Sequence, residues 1–339
     1  MRLALAVNRS TAYQPTAGAP DDEYEEFDSP ETVQAIADTI AGFGHQVEIL
    51  EADRTFPRAL EAGRFDFVFN ISEGLSGRSR EAQVPAVCDM LGIPFTGSDA
   101  VTMGLTLDKD LARRAVVGPD VRVAPGRVFH RPDRIDLRGL RFPVFAKPNA
   151  EGSSKGIRNS SRLASEAEAR ERIARLLQEY RGPVLVEEFL PGAECTVGVL
   201  GNREPRVVGI MEIAPRQKRV EEFVYSLETK RDYLNQVDYH VPPRFPPATV
   251  AAIEKTALAA YEALGCRDFA RIDIRLDGAG VPHFIEANPL PGLSPVKGDM
   301  VILARGAGME YRELIGRILD LAFIRAGVPH QRQFSDAFR

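Results

Sequence analysis

The sequence predicts an α/β protein in which an open parallel sheet is followed by two α+β regions. Up to about residue 97, short apolar strands alternate with helices, which is the pattern of parallel strands joined by crossover helices. Further along, strands follow each other through glycine-rich turns, as antiparallel pairs do. With 339 residues and 44% hydrophobic content, the chain is long enough for two or three domains.

The first predicted region, residues 1–97, supplies the parallel sheet. Ser29 and Pro30 are an N-cap and a first-turn proline, and they open a helix that ends at Gly42 or Gly44. The acidic stretch before this helix, "DDEYEEFD", is predicted to be a solvated loop. The other elements are the strands Leu3 to Val7, "HQVEILEA", "FDFVFNIS" and "GIPFTG", and a helix from about Glu81 to Met90.

The second and third predicted regions, residues 98–187 and 188–339, carry the antiparallel strands. One long helix is predicted from Ser98 through "AVTMGLTLDKDLARRAV". Residues 214–247 are rich in charge and proline and are predicted to be irregular. The remaining strands are "RFPVFAKP", "GPVLVEEFL", "AECTVGVLG", "EPRVVGIMEI", "FARIDIRLD" and "VPHFIEANP", and the remaining helices are "SEAEARERIARLLQEY", "ATVAAIEKTALAAYEALG" and Tyr311 to Ala326.

Composition and charge exclude several classes of protein. The formal net charge is −5 and no basic stretch interleaves aromatics, which argues against nucleic acid as a partner. The widely spaced cysteines, Cys88, Cys195 and Cys266, are predicted to be buried apolar side chains rather than a disulfide framework or a zinc site. No apolar stretch reaches membrane-spanning length, and the first apolar run is too short for a signal peptide. We therefore expect a cytoplasmic protein.

The stretch "HFIEANPLPGLSP" combines a strand with an unusual choice of polar residues. Side chains in a strand alternate between two faces. Glu286 and Asn288 are therefore predicted to share one face, and Ile285 and Ala287 the other. Asn is uncommon in strands, so its position beside a carboxylate favours a function.

The preceding strand can complete this polar face. In "ARIDIRLD", the charged residues Arg271, Asp273 and Arg275 alternate with apolar ones. If the two strands pair through a glycine turn, Asp273 lies beside Glu286 and Asn288, and three oxygen donors of this kind suit Mg²⁺. A solvated charged face is the alternative, for which the two arginines argue.

Lysines and glutamates elsewhere indicate nucleotide binding. Lys147 ends the strand "FPVFA" before a glycine-serine loop, where a lysine and backbone N–H groups can hold phosphate. A hairpin tip is the common alternative for that loop, and a solvated lysine is the default for Lys109 in its helix. Glu187 and Glu188 are adjacent in a strand, so one of them should be buried and need a partner such as an adenine amine or a ribose hydroxyl. Glu194 follows a turn, where an exposed side chain is the alternative.

In their order along the chain, these motifs resemble the D-alanine–D-alanine ligase family of the ATP-grasp superfamily. The resemblance runs from "FNISEG" to about Leu293. Several ordered motifs over some two hundred residues are a specific signal, whereas a single motif would not be. The motifs are "GIPFTGS", "LDKDLARR", "FAKPNAEGSSKGI", "VLVEEFLPGAECTVGVL", "YSLETK", "YEALGCRDFARIDIRLD" and "FIEANPLPGL".

The resemblance implies an ATP-grasp fold, with ATP gripped between two sheets, and it implies roles for individual residues. The residues implied to contact ATP phosphates are Lys109, Lys147, Lys230 and the loop residues Ser153 and Ser154. The residues implied to contact adenine and ribose are Glu187, Glu188, Leu190 and Glu194. Those implied to bind two Mg²⁺ ions, or Mn²⁺ in their place, are Asp273, Glu286 and Asn288. Arg271 and the backbone N–H of Gly292 would stabilise the oxyanion, and Ser153 and Lys230 would also act in catalysis.

The reaction implied by the resemblance has two steps. A substrate carboxylate attacks the γ-phosphate of ATP and gives an acyl phosphate and ADP, and a neutral amine then attacks the acyl carbon and releases phosphate. The first step brings anions together, so the enzyme must neutralise charge and align the groups in line. Acyl phosphates hydrolyse readily, so water must be excluded. Residues 214–247, which contain Lys230, would form the lid.

The sequence departs from the family on the amino-acid side. The first loop, "NRSTAYQP", lacks the family's glycine-rich motif and the Glu that binds the first D-alanine's amino group, and "NISEGLSGRSREAQ" replaces "HG…GEDG…Q". Arg231 stands where the family often has a Tyr, and Lys297 stands near the position of a substrate-binding serine. These positive charges predict a substrate with an extra carboxylate. Alternatively, Glu73 or an acidic residue of 21–28 replaces the missing contact and D-alanine is still used.

The resulting prediction is an ATP-dependent carboxylate–amine ligase of the D-alanine–D-alanine ligase type. A ligase for a different amino-acid pair or conjugate is the alternative within this class. A non-catalytic nucleotide-binding protein is the alternative from another class, and a carboxylate kinase that stops at the acyl phosphate is a third. The expected partners are small amino-acid-like molecules, without nucleic acid or membrane, and the formation of a homodimer is left open.

Overall fold

The computed structural model describes residues 1–14, 18–331 and 333–334. Residues 15–17, which follow the first strand, and residues 332 and 335–339, in the third predicted region, lie outside the described chain. The strands are β1 (Arg2–Val7), β2 (Gln46–Glu51), β3 (Phe67–Asn70), β4 (Gly126–Phe129), β5 (Val144–Pro148), β6 (Arg162–Leu163), β7 (Val184–Glu188), β8 (Glu194–Leu200), β9 (Arg206–Pro215), β10 (Val237–His240), β11 (Phe269–Leu276) and β12 (Pro282–Asn288). The helices are α1 (Pro30–Ala41), α2 (Phe56–Gly63), α3 (Gln83–Leu91), α4 (Ala100–Leu107), α5 (Lys109–Val116), α6 (Glu166–Glu179), α7 (Leu227–Arg231), α8 (Tyr233–Gln236), α9 (Pro247–Ala263), α10 (Asp299–Gly306) and α11 (Tyr311–Ala326).

The first sheet is parallel, as predicted, with strand order β2-β1-β3. The predicted N-cap of α1 is confirmed, since Ser29 Oγ accepts from the backbone N–H of Thr32 at 3.3 Å. The predicted strand at "GIPFTG" is wrong, because only a single bridge joins Phe95 to Val68 in the described structure. Pro94, next to that bridge, has no N–H to donate to a sheet, which limits pairing there.

The C-terminal helix α11 packs on the first sheet rather than on the sheets that precede it in the chain. Phe323 of α11 meets Phe67 of β3 edge to face, with ring centroids 4.7 Å apart. Both rings belong to a core that also includes residues of β1, α1 and α10. Such aromatic pairs add to the stabilisation that comes from burial alone. The last helix therefore joins the N-terminal sheet to the C-terminal part of the chain.

The other two sheets are antiparallel, as predicted, and their facing surfaces form the walls of the candidate site. A four-stranded sheet has the order β4-β7-β5-β6, and a five-stranded sheet has the order β10-β9-β8-β11-β12. Helix α6 packs on the smaller sheet and α9 on the larger one, which covers their apolar outer faces.

The single helix predicted after Ser98 is wrong, because Asp108 divides it into α4 and α5. The backbone of Asp108 is extended, and its carboxylate accepts from the N–H of Leu111 at 3.1 Å as the N-cap of α5. Asn149 donates to the same carboxylate at 2.7 Å. An aspartate can end one helix and cap the next because its side chain replaces a backbone acceptor. The break makes Lys109 the first residue of α5.

Residues 214–247 are not irregular, contrary to the prediction. They contain α7, α8 and β10, and β10 pairs with β9 in the larger sheet. Phe223, Tyr225 and Val237 of this segment pack together in a small apolar cluster. These elements were not predicted because each is only four or five residues long. In addition, the proline and charged residues of the segment are typical of loops.

The three cysteines are free and buried, as predicted. Within the part of the chain that the structure describes, no helix is both long and apolar enough to cross a membrane.

Asp268 connects the first and third regions of the chain and gives the first testable prediction. Its fully buried carboxylate accepts from Arg325 of α11 at 2.8 and 2.9 Å and from the N–H of Gly97 at 2.8 Å. Asp268→Ala leaves this arginine without its partner, so we expect the free energy of unfolding in urea to fall by about 3 kcal/mol. The exposed pair of Asp133 with Arg131 is the control, and Asp133→Ala should cost less than about 1 kcal/mol. A loss no larger than that of the control would contradict this role of Asp268.

Candidate active site

The β11–β12 pair brings the predicted polar side chains together. Asp273 lies opposite Glu286 and Arg271 lies opposite Asn288 in the antiparallel register. Directly opposite residues share a face, so all four side chains project from the same side of the sheet.

A β-bulge changes the predicted alternation of β12. The register shifts between Asp273 and Ile274, and Ile285 is the extra residue on the opposite strand. Ile285 lines the same cavity as Glu286, so the prediction that it faces away with Ala287 is wrong. The bulge thus places an apolar side chain and a carboxylate next to each other on one face.

This face is buried and not the solvated charged face of the alternative. Only 8% of Arg271 is exposed, and it donates to both oxygens of Asp273 at 2.9 Å and to Asp299 at 3.0 Å. Asn288 Nδ2 donates to Asp273 at 3.2 Å. Thr196 donates to it as well, at 2.5 Å, so four hydrogen bonds hold this carboxylate in position.

Glu286 is surrounded by cations. Its carboxylate lies 3.1 Å from Lys109 Nζ. Burial alone would raise the pKa of Glu286, but Lys109, Lys147 and Arg271 outweigh that effect and hold the pKa well below its usual range. Glu286 is therefore ionised at neutral pH.

Lys109 and Lys147 are buried, which excludes the surface-lysine alternative for Lys109. Only 4% of Lys109 and 2% of Lys147 is exposed. Lys147 Nζ lies 2.8 Å from Glu187, and Arg113 pairs with the same carboxylate at 2.9 Å. Both lysines thus face carboxylates from within the site, which places two cations near Glu286.

Glu187 and Glu188 are both buried, whereas the alternation of side chains along a strand predicted that only one of them would be. Glu187 faces the cavity, and Glu188 pairs with Arg141 on the other side at 2.7 Å. In the backbone next to this cavity, Glu188 N donates to Pro125 O and Leu190 O accepts from Arg275 at 2.6 Å. A partner for each charge makes the burial of both possible.

Glu194 is not exposed, contrary to the alternative drawn from its turn. It pairs with Arg275 at 2.8 Å, and burial raises the pKa of its carboxyl group. Arg275 is itself buried and donates to the carbonyl oxygen of Phe223 at 2.8 Å. Arg275 therefore ties β11 to the segment that follows β9.

One cavity, which we call the inner cavity, lies between the two antiparallel sheets. Lys230 lies at its border, with the ammonium group 5.1 Å from the centre of the Tyr225 ring. Apolar and charged residues contribute to its lining in about equal number. The lining residues include Phe145, Lys147, Ser154, Ile157, Glu187, Phe189, Leu190, Glu194, Lys230, Asp273, Ile285 and Glu286. Such a mixture is typical of a small-molecule site.

A second cavity, the outer cavity, shares Glu286 with the first. Arg271, Asn288 and Gly292 line it beside Ser153. It also contains Glu81 and Glu151, which the sequence did not single out, because only the fold brings them beside Glu73 and the acidic residues of 21–28. The acidic residues of its lining are Glu26, Asp28, Glu73, Glu81, Glu151 and Glu286.

The glycine-serine loop lies between the two cavities and has an unusual backbone. Ser153 and Ser154 adopt positive φ angles of 46° and 61°, which non-glycine residues seldom do. Gly152 N donates to Glu26 at 2.6 Å, and a Cβ at Gly152 would come within 2.5 Å of that carboxylate. Glycine is therefore required where the loop meets the acidic stretch.

The acidic stretch "DDEYEEFD" is not a solvated loop. Asp22 is buried and accepts from Gly156 N at 2.9 Å, and Glu26 pairs with Arg80 at 3.0 Å. Arg231 pairs with Asp21 at 3.1 Å and with Glu25 at 2.6 Å. These contacts fasten the stretch to the glycine-serine loop and to α7.

The predicted positive charge in the amino-acid pocket is wrong. The charge of Arg231 is neutralised by its two acidic partners. Lys297 is exposed, and it is absent from the residues that line the outer cavity. The cavity is acidic instead.

No three side chains of His, Cys, Asp or Glu within residues 1–14, 18–331 and 333–334 are placed to hold a metal ion. The predicted set of Asp273, Glu286 and Asn288 consists of two carboxylates and an amide, and its role stays a prediction.

Solved structures share this fold. A D-alanine–D-alanine ligase from Bacillus anthracis, solved in complex with ATP, superposes with a TM-score of 0.75 at 18% sequence identity. The match covers 96% of this chain and 99% of that one. The predicted α/β fold of the ATP-grasp type is therefore confirmed.

Sequence comparisons identify the family. The family model for the D-ala D-ala ligase C-terminus matches residues 134–320. A D-alanine–D-alanine ligase from Anaeromyxobacter sp. is 32% identical over 87% of this chain and 92% of its own length. The protein y4sG from Sinorhizobium fredii is 31% identical over 99% of both chains. The chain belongs to the D-alanine–D-alanine ligase family of ATP-dependent ligases that form C–N bonds.

Proposed function

We propose that this protein binds ATP and Mg²⁺ and joins the carboxylate of one amino-acid-like substrate to the amine of another through an acyl phosphate. The observation that carries the proposal is the wall shared by the two cavities. Glu286 lines both, with Lys109 3.1 Å away and Asp273 opposite on β11. A phosphate held at this wall would have the nucleotide on one side and the second substrate on the other.

The inner cavity has the features that a nucleotide needs. The apolar part of its lining, which includes Phe145 and Ile285, suits a purine ring, and Lys147 and Lys230 supply positive charge for phosphates. Glu187 and Glu194 offer carboxylate acceptors for an amine and for ribose hydroxyls. The lysines would exchange their present carboxylate partners for phosphate oxygens.

Asp273, Glu286 and Asn288 would hold Mg²⁺. This donor set fits the ion, because Mg²⁺ takes one or two carboxylates and fills its other positions with phosphate and water oxygens. Asn288 donates to Asp273 through Nδ2, so its Oδ1 would face the ion. When bound, the ion would neutralise charge on the phosphates.

The residues of the outer cavity would act on the reacting carboxylate. Arg271 is fixed by Asp273 and Asp299, so its guanidinium is already oriented and would stabilise negative charge on the acyl group. Gly292, which lines the same cavity, would add its backbone N–H. The Ser153 loop would cover the phosphates and keep water from the acyl phosphate.

The direct test is release of ADP and phosphate driven by amino acids. We expect release in a screen of D- and L-amino acids, offered singly and in pairs with ATP and Mg²⁺, and a product mass equal to two substrates minus water. Glu286→Gln should lose most of this activity, because it removes a carboxylate from the proposed metal site while an amide oxygen can still face Lys109.

The exposed Glu61 provides the matched control, and Glu61→Gln should keep its activity. Near wild-type activity of Glu286→Gln at saturating Mg²⁺ would show that the metal site is wrongly assigned. ADP release that needs no amino acid, or only one carboxylate without amine, would favour an ATPase or a carboxylate kinase instead.

Lys147→Ala and Lys109→Ala should each weaken nucleotide binding, because each removes a cation from a polyanion. A charge-assisted contact contributes about 1.5–3 kcal/mol, so we expect a loss of affinity of about tenfold or more. Calorimetric titration with a non-hydrolysable ATP analogue measures it, and the circular dichroism spectrum checks the fold. Lys255→Ala, which removes an exposed partner of Asp120, is the control. Unchanged affinity in both buried-site variants would rule out this phosphate site.

Residues 216–236 form the proposed lid, which is narrower than the 214–247 predicted from the sequence because the residues on either side belong to β9 and β10. Lys230 borders the inner cavity, and Leu227 N donates to Ile157 O near the glycine-serine loop. We expect their amide hydrogens to exchange more slowly when an ATP analogue and Mg²⁺ are bound, since the nucleotide would add contacts to Lys230. Mass spectrometry of hydrogen exchange tests this, with the buried strand β8 as the internal reference. Equal exchange with and without nucleotide would mean that the segment is static.

A further inference from the structure

The outer cavity holds six carboxylates, and they fall into two groups. Glu26 and Glu151 both pair with Arg80, at 3.0 and 3.4 Å, and Glu286 pairs with Lys109 at 3.1 Å. Lys155 adds a further cation 3.5 Å from Glu26. Three of the six are thus neutralised by the protein itself.

The other three are Asp28, Glu73 and Glu81, and the charges of Lys297, Arg80 and Lys109 act on them only from beyond ion-pair distance. Among the described residues, none of their side chains makes a hydrogen bond or an ion pair, although all three line the cavity. Only 8% of Glu81 is exposed, so its carboxylate is removed from bulk water and turned towards the cavity. A buried carboxylate without a partner is costly, and natural proteins seldom keep one without a use.

The pKa values of all three carboxyl groups are raised, as expected for carboxylates that have no ion-pair partner. Burial raises the pKa of Glu81 to about 7 and that of Asp28 to about 7. Burial and the neighbouring Glu81 and Glu26 raise the pKa of Glu73 well above its usual range. A cation that entered the cavity would favour the ionised form of all three.

One ammonium group can pair with only part of this cluster. An α-ammonium has three N–H donors and a single charge, so it would favour the ionised form of one of these carboxylates and leave the others without a partner. A second cationic group on the substrate would give a further carboxylate an ion pair. The carboxylates come from two parts of the chain, residue 28 and the stretch that contains residues 73 and 81.

We propose that the outer cavity binds an amino acid with a cationic side chain, and that Glu81, Glu73 and Asp28 select it by its second positive charge. This rests on the proposed ligase function and narrows its substrate class. It predicts that D-alanine, which lacks a second cation, is a poor substrate. The reacting carboxylate would lie towards Arg271 and Glu286, and the side-chain cation towards Glu81.

Lysine and norleucine provide a matched pair of probes, because they have the same straight side-chain carbons and differ at the terminal amine. We expect calorimetric titration, with the ATP analogue and Mg²⁺ present, to show lysine or ornithine of one chirality binding about tenfold or more tighter than norleucine and alanine of that chirality. Binding of norleucine or alanine as tight as that of the basic amino acids would overturn the proposal, and so would the absence of binding by any of them.

Two variants test whether Glu81 and Glu73 cause the preference for a basic amino acid. Glu81→Gln and Glu73→Gln should each weaken binding of the basic amino acid about tenfold, leave norleucine unchanged and leave affinity for the ATP analogue unchanged. Glu61→Gln is again the exposed control. If neither cavity variant alters the preference for lysine over norleucine, the assignment to these carboxylates is wrong.

Different results would contradict the cationic-substrate proposal and the proposed ligase function. ADP release with neutral amino acids, but not with basic ones, would keep the ligase and remove the cationic substrate. Tight binding of a basic amino acid without ADP release in any pairing would keep the cation site and remove the ligase.

Discussion

The carboxylate of Glu26 is the constraint on which the site depends. It accepts from the N–H of Gly152 at 2.6 Å and pairs with Arg80 at 3.0 Å, while only 3% of its side chain is exposed. Burial would raise its pKa, but Arg80 and Lys155 outweigh that effect and hold the pKa below its usual range. One ionised group thus joins the acidic stretch after β1, the first turn before α3 and the glycine-serine loop. Because these three segments meet at Glu26, they close one side of the outer cavity.

Much of the fold follows from local patterns in the sequence. Strand alternation and the glycine turn correctly pair β11 with β12, and Ser29 with Pro30 correctly begins α1. Local patterns fail where a side chain replaces a backbone partner. Asp108 ends one helix and caps the next through its carboxylate, and nothing in the apolar periodicity of that stretch marks the break.

The burial of charge is the part of the site that sequence patterns predict least well. The arginines of β11 favoured a solvated face, and the helix favoured a solvated Lys109, yet all are buried because each meets a carboxylate from another segment. Similarly, "DDEYEEFD" has the composition of a loop in water, but its partners Arg80, Lys155 and Arg158 lie more than fifty residues away. Composition cannot reveal a pairing that depends on the tertiary fold.

The bulge at Ile285 allows two adjacent residues of β12, one apolar and one charged, to lie on the same face of the sheet. Glu286 pairs with Asp273 and Ile285 is the extra residue beside it, so the strand presents an apolar side chain and a carboxylate at one level of the sheet. Removing the extra residue would restore regular pairing and still leave Glu286 opposite Asp273, while the inner cavity would lose an apolar side chain. The apolar surface of the cavity can therefore change by insertion, deletion or substitution at one position without moving the carboxylate pair.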